Sequence, residues 1–149
     1  MQKITPFLMF NQGALEAMEF YASIFKDAKI VSTMPGPDGA GGGTIEIQGQ
    51  RIHTYNGGPH FSFTQGISLM VRAETQDEID HLYESLSEGG EQQQCGWVTD
   101  KFGVSWQITP TILMDLMSGP DREKADRVAQ AMLKMTKIII ADLEAAAAG

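Results

Sequence analysis

Two polar side chains stand at matching points of two similar segments: His53 in RIHTYN and Gln107 in SWQITP. An imidazole titrates near neutral pH and can serve as a general base or a metal ligand. An amide hydrogen-bonds a polar ligand without carrying charge. His53 has no partner carboxylate evident along the chain, so a plain strand or cavity histidine is the competing reading. For Gln107 the competitor is a solvated or internally paired amide. Tyr55 and Trp97 share the parity of these positions and could offer flat apolar surface to a ligand, although Trp97 reads better as core filling. Cys95 is the sole cysteine. Nothing beside it would depress a thiol pKa, and it reads as a small buried residue. His60 falls in a loop and His81 on a polar helix face, and neither is assigned a role.

A chain with one cysteine forms no intrachain disulfide and no Cys-based zinc site. A formal charge of −8 argues against nucleic acid and anionic membrane surfaces as partners. No apolar run approaches the roughly 18 residues of a membrane span, and the opening MQKITPFLMF reads as a first strand rather than a signal peptide. A cytoplasmic protein is expected. At 42% apolar residues the 149-residue chain can build a real core. The segment PGPDGAGGG (35–43) is too glycine-rich to carry core side chains and reads as a flexible break, with a lid over a cavity as one use. It is followed by the strand-like TIEI, so it does not join a strand to a helix N-terminus as a phosphate-binding loop must.

The elements that position these residues come in two similar series. A strand is expected at 3–10, edged by Pro6, followed by a helix from Ala14 whose apolar face is Ala14, Ala17, Met18, Tyr21, Ile24 and Phe25. Strands at 29–34, 44–48 and 51–55 complete the first series. The second has a strand at 66–72 and a helix opened by a Thr75/Glu78 capping box, with Ile79, Leu82, Tyr83 and Leu86 on its buried stripe. A weak strand near 91–94 and the hairpin CGWVTDKFGVSWQITP (95–110) follow. In that hairpin Asp100 opens the turn and Gly103 takes its strained position. Overlaying the halves places His53 on Gln107, Ile52 on Trp106 and Leu8-Met9 on Leu69-Met70, a repeat in pattern more than in letters. The tail carries an apolar turn at 112–117, a helix at 121–135 with Ala125, Val128, Ala129, Met132 and Leu133 inward, an apolar stub at 137–140 and an Ala-rich helix at 142–148. It should pack on its own sheet wall or across a dimer interface.

The duplicated β-α-β-β-β order with Asp-x-x-Gly in its last hairpin resembles the vicinal oxygen chelate superfamily, the glyoxalase and bleomycin-resistance fold. ITPFLMF, AMEFYASIFKDAKI, NGGPHFSFT and EGGEQQQCGWVTDKFGVSWQITP are similar to the PhnB-like family, often labelled 3-demethylubiquinone-9 3-methyltransferase. The likeness spans nearly the whole chain. It implies one α+β domain over 1–149, with paired βαβββ modules at 3–56 and 66–110, a helical extension at 111–149, sheets curled round a cavity, and a homodimer. The cavity would be lined by Thr5, Phe7, His53, Tyr55, Ser68, Met70, Trp97 and Gln107. In metal-dependent members of the superfamily the first and last strands of each half hold the ion. Transferred here, those positions are Thr5 or its neighbour, His53, Ser68 or its neighbour, and Gln107. One imidazole, one amide and two hydroxyls are a poor set for a divalent transition metal. No cofactor is therefore expected. A binding protein for a small organic molecule is the first reading. An isomerase, lyase or dioxygenase with His53 as its catalytic residue is the alternative. Methyl transfer by S-adenosylmethionine would need a doubly wound α/β domain with a Gly-rich first turn, and no such order of elements is present.

Overall fold

The computed structural model describes residues 2–149. They form two compact units, residues 2–63 and 64–149, each built on a four-stranded mixed sheet with helices on one face. The class is α+β, and the expected βαβββ order occurs in both units.

In the first unit the elements are β1 (Phe7–Phe10), α1 (Ala14–Ile24), β2 (Ala28–Gly36), β3 (Gly39–Ile47) and β4 (Gln50–Asn56), in sheet order β1-β4-β3-β2. β1 runs parallel to β4 and the other pairs are antiparallel. The strand expected from residue 3 begins only at Phe7, because Pro6 has no N–H to donate; its carbonyl still accepts from His53 N–H at 2.9 Å. α1 buries the expected face, Ala14, Ala17, Met18, Tyr21 and Ile24, against β3 and β4. Its N-cap is Gly13, which has no side chain to offer. The Ala14 N–H goes instead to Asn56 Oδ1 (2.9 Å), so the end of β4 caps the helix.

The glycine-rich 35–43 is not a flexible break. β2 runs to Gly36 and β3 starts at Gly39, so the segment is the tight end of a hairpin. The glycines are there because the backbones come close. A Cβ at Gly42 would lie 2.3 Å from the Thr54 carbonyl oxygen, and one at Gly43 would lie 2.0 Å from that of Ser32. The missing side chains read as looseness in the sequence, whereas they are what lets three strands close.

The second unit holds β5 (Leu69–Ala73), α2 (Gln76–Ser87), β6 (Glu91–Gln92), β7 (Trp97–Thr99) and β8 (Ser105–Pro110), in sheet order β5-β8-β7-β6. α2 has the expected stripe and the expected cap: Thr75 Oγ1 accepts from Glu78 N–H at 3.2 Å. The reciprocal bond falls one residue earlier, where the Glu78 carboxylate accepts from Glu74 N–H at 3.3 Å. Cys95 is not a buried small residue. It lies half-buried in a 3-10 turn with φ of 60°.

Between β7 and β8 the Asp100 carbonyl accepts from Gly103 N–H (2.9 Å), and Gly103 has φ of 93°. A β-branched residue cannot take that conformation without strain. Gly103→Val is expected to lower stability by about 1–3 kcal/mol in chemical denaturation. An unchanged midpoint and slope would refute the turn's dependence on glycine.

The tail comprises α3 (Ile112–Met117), α4 (Arg122–Leu133) and α5 (Ile140–Ala148). Of the stripe expected on α4 only Val128 is buried, and Leu133 is 55% exposed. The tail makes its own small core from Leu113, Val128, Ile138 and Leu143. It is held on its own unit through backbone groups: Cys95 and Gly96 donate to the carbonyls of Met135 and Thr136 (2.9 and 2.8 Å). The Gln76 amide reads the stub from the other side, donating to Ile138 O (3.0 Å) and accepting from Ile140 N–H (2.8 Å). Lys137 sits 3.0 Å from Asp80 and 3.2 Å from Glu84. The hydrogen bonds from Gln76 and Lys137 hold the Asp80 carboxyl below its ordinary range.

Candidate functional site

In a strand pair, residues directly opposite one another project to the same side. In the first unit that rule sorts the sheet into two faces. Ile45 pairs with Ile52 on the helix side, where both are buried. Phe7, His53 and Thr44 form a row across β1, β4 and β3 on the opposite face. The Phe7 and His53 rings meet edge to face with centroids 6.1 Å apart, and Phe7 stays 53% exposed. Thr44 Oγ1 lies 2.7 Å from His53 Nδ1. Thr44 was not singled out from sequence. The two-residue turn at Gln48 and Gly49 fixes the register that pairs it with His53, so the signal was available.

Tyr55 lies one step further along the same face. Its ring packs over Gly41, where a Cβ would come within 2.9 Å of Tyr55 Cε1, and its hydroxyl donates to Pro35 O at 3.3 Å. Thr5 joins His53, Gln2, Gly49 and Arg51 around a cavity of about 360 Å3.

The second unit repeats the arrangement with different chemistry. Met70, Gln107 and Trp97 form the row across β5, β8 and β7. Gln107 Nε2 donates to Ser68 Oγ at 2.8 Å, and Met70 is 59% exposed. Trp97 is half-buried rather than core. It lines a cavity of about 490 Å3 with Gln65, Glu91, Gln92, Gln93 and Gln94. The Gln93 carbonyl accepts from the Tyr83 hydroxyl (2.6 Å), and burial pushes that phenol up. The glutamines of EQQQ were read only as a weak strand. Their role at this cavity follows from the 3-10 turn that brings Trp97 back beside them.

The registers correct the overlay of the halves. Phe7 pairs with His53 and Met70 pairs with Gln107, so Phe7 corresponds to Met70 and the Leu8-Met9 alignment on Leu69-Met70 is displaced by two residues. A shift of two preserves the face, which is why the sequence pattern did not expose it. His60 is exposed in a loop, and His81 contacts Ser85 Oγ at 3.4 Å on α2.

The residues at the transferred ion-holding positions do not suit a divalent metal. They offer one imidazole, one amide and two hydroxyls, with no carboxylate or thiolate; the contacts of His53 Nδ1 with Thr44 and of Gln107 Nε2 with Ser68 leave only His53 Nε2 and the Gln107 amide oxygen to face an ion. Among the described residues no group of three or more His, Cys, Asp or Glu side chains could hold an ion. Adding zinc, nickel or manganese to about 100 μM is expected to leave the melting temperature within about 1 °C, since a ligand that binds the native state weakly adds little stability. A saturable, concentration-dependent rise would contradict this donor analysis.

The family model described as 3-demethylubiquinone-9 3-methyltransferase matches residues 2–109. α3, α4 and α5 lie beyond that match. A solved PhnB protein from Bacillus cereus is 36% identical, covering 74% of this chain and 100% of its own, with a TM-score of 0.69. Protein PA1353 from Pseudomonas aeruginosa is 21% identical, covering 74% of this chain and 98% of its own, with a TM-score of 0.59, a likeness of fold. No curated protein matches the chain.

Proposed function

The chain belongs to the family described as 3-demethylubiquinone-9 3-methyltransferase, and from that membership we propose that it is a glyoxalase-type protein that binds a small organic molecule without a metal ion. One observation carries the reading. The open face of each sheet presents a polar side chain already oriented by a neighbour, His53 by Thr44 and Gln107 by Ser68. Beside each stands an exposed apolar residue, Phe7 or Met70. A few fixed polar groups among apolar and aromatic side chains are what small-molecule sites are made of. Methyl transfer is not part of the proposal. Among the described residues neither sheet is doubly wound, and no glycine-rich turn joins a strand to a helix N-terminus. The alternative, an isomerase, lyase or dioxygenase acting on a small oxygenated metabolite, draws on the Thr44–His53 contact, which orients an imidazole that could move a proton.

The test is a screen of small polar aliphatic and aromatic molecules by amide chemical shifts and Trp97 emission. At least one class should move the signals of Phe7, His53, Met70 and Gln107 while Glu19 and Glu84, on the helices, stay still. A broad library that moves none of the sheet-face signals would overturn the reading. Turnover that His53→Gln abolishes while binding persists would favour the enzyme.

A further inference from the structure

The chain carries 19 acidic residues against 11 Lys and Arg, yet among the described residues no carboxylate lines the cavity of the first unit. Its lining is Gln2, Thr5, Gly49, Arg51 and His53. The Gln2 side chain is used structurally: its amide donates to Arg51 O (2.9 Å) and accepts from Arg51 N–H (3.1 Å), pinning the segment that carries Thr5 along β4. The other polar groups are left available. Arg51 spends only Nε, on Glu46 Oε1 at 3.1 Å, which orients the guanidinium; its two Nη groups make no hydrogen bond among the described residues. Lys29 Nζ lies 3.8 Å from the same Glu46, so two cations share one carboxylate. The Thr5 hydroxyl makes no hydrogen bond among the described residues. His53 meets Thr44 through Nδ1 and makes no hydrogen bond at Nε2 among the described residues, so that nitrogen is available to a ligand. The cavity of the second unit has the opposite character, with Glu91, four glutamines and no cation.

We propose that the cavity of the first unit is an oxyanion subsite, taking a carboxylate or phosphate group of the ligand. Arg51 supplies the bidentate fork that matches such groups, and Thr5 and His53 supply further donors. The inference rests on the binding reading above and names the charge of what is bound at that face.

The experiment titrates the whole protein with acetate, malonate and benzoate in one arm, inorganic phosphate in a second, and acetamide and benzamide in a third. Chloride holds the ionic strength constant, and the Arg51 Nε–H and Gly49 amide signals are followed. One anion arm should saturate, and the tighter arm identifies the group as carboxylate or phosphate. Arg51→Gln should weaken it by about tenfold or more, the loss of a charge-assisted bidentate pair. Glu46→Gln should strengthen it by roughly two- to fivefold, because the competing charge is gone. That gain cannot come from misfolding. Amides that bind as well as the anions, or an affinity unchanged in both variants, would overturn the subsite and leave the binding reading standing. Sheet-face signals that respond to no arm and to no member of the broader screen would overturn both.

Discussion

Replacing Asp100 by alanine is expected to lower the unfolding free energy by about 3–4 kcal/mol, measured by urea denaturation at neutral pH. Asp100 is only 2% exposed. One carboxylate oxygen accepts from Phe102 N–H (2.9 Å) and Val104 N–H (3.0 Å), and the other accepts from the Trp106 indole N–H (2.9 Å). The side chain therefore builds the turn between β7 and β8 and also satisfies the largest side chain of the second unit's core. A bond to an ionised acceptor contributes roughly 1.5–3 kcal/mol, and three sharing one carboxylate do not add in full. Alanine also leaves the buried indole N–H without this acceptor. Asp100→Asn keeps one carbonyl oxygen but turns an amide donor toward either the indole or the backbone donors, so about 2 kcal/mol is expected for it. A loss under about 1 kcal/mol for Asp100→Ala would mean that water replaces the carboxylate, and the pairing would not be what holds the hairpin.

Gly42→Ala is expected to cost about 3 kcal/mol or more, through overpacking and backbone strain together. At Gly42 φ is 147° and the new Cβ would run into the β4 backbone, 2.3 Å from Thr54 O and 2.7 Å from Tyr55 Cα. Neither atom can move without opening the β3–β4 ladder, which carries His53 and Tyr55. Gly39→Ala is the control, because nothing lies within 4 Å of a Cβ there and only its φ of 112° is strained. It should cost about 1–2 kcal/mol. Equal, small losses at both positions would return the glycine run to the flexible break its composition suggests.

What the sequence reveals follows the physics that each feature depends on. α2 is readable because its stripe and its cap are local: Ile79, Leu82, Tyr83 and Leu86 recur at helical spacing, and Thr75 stands three residues before Glu78. The 100–103 turn is readable for the same reason. The wider role of Asp100 is not, because the indole it binds is six residues away across a turn whose shape must first be known. The glycine run misleads because close strand approach and flexibility call for the same residue. The tail misleads because its α4 stripe promises broad burial, while it is held mainly by backbone bonds to Cys95 and Gly96 and by Gln76, which leave no hydrophobic signature. At the candidate site, alternation puts Tyr55 on the face of His53 and Trp97 on that of Gln107, and the strand registers place them so. Arg51 and Thr44 stay hidden, since their roles depend on which strands pair and in which register.

The central claim is that these sheet faces bind a small molecule with their own side chains and no ion. It is tested most directly by measuring the affinity of a ligand from the screen before and after exhaustive dialysis against EDTA. The account predicts dissociation constants equal within about twofold, a difference under roughly 0.4 kcal/mol. Binding that disappears with the chelator and returns on adding back a single divalent metal would contradict it.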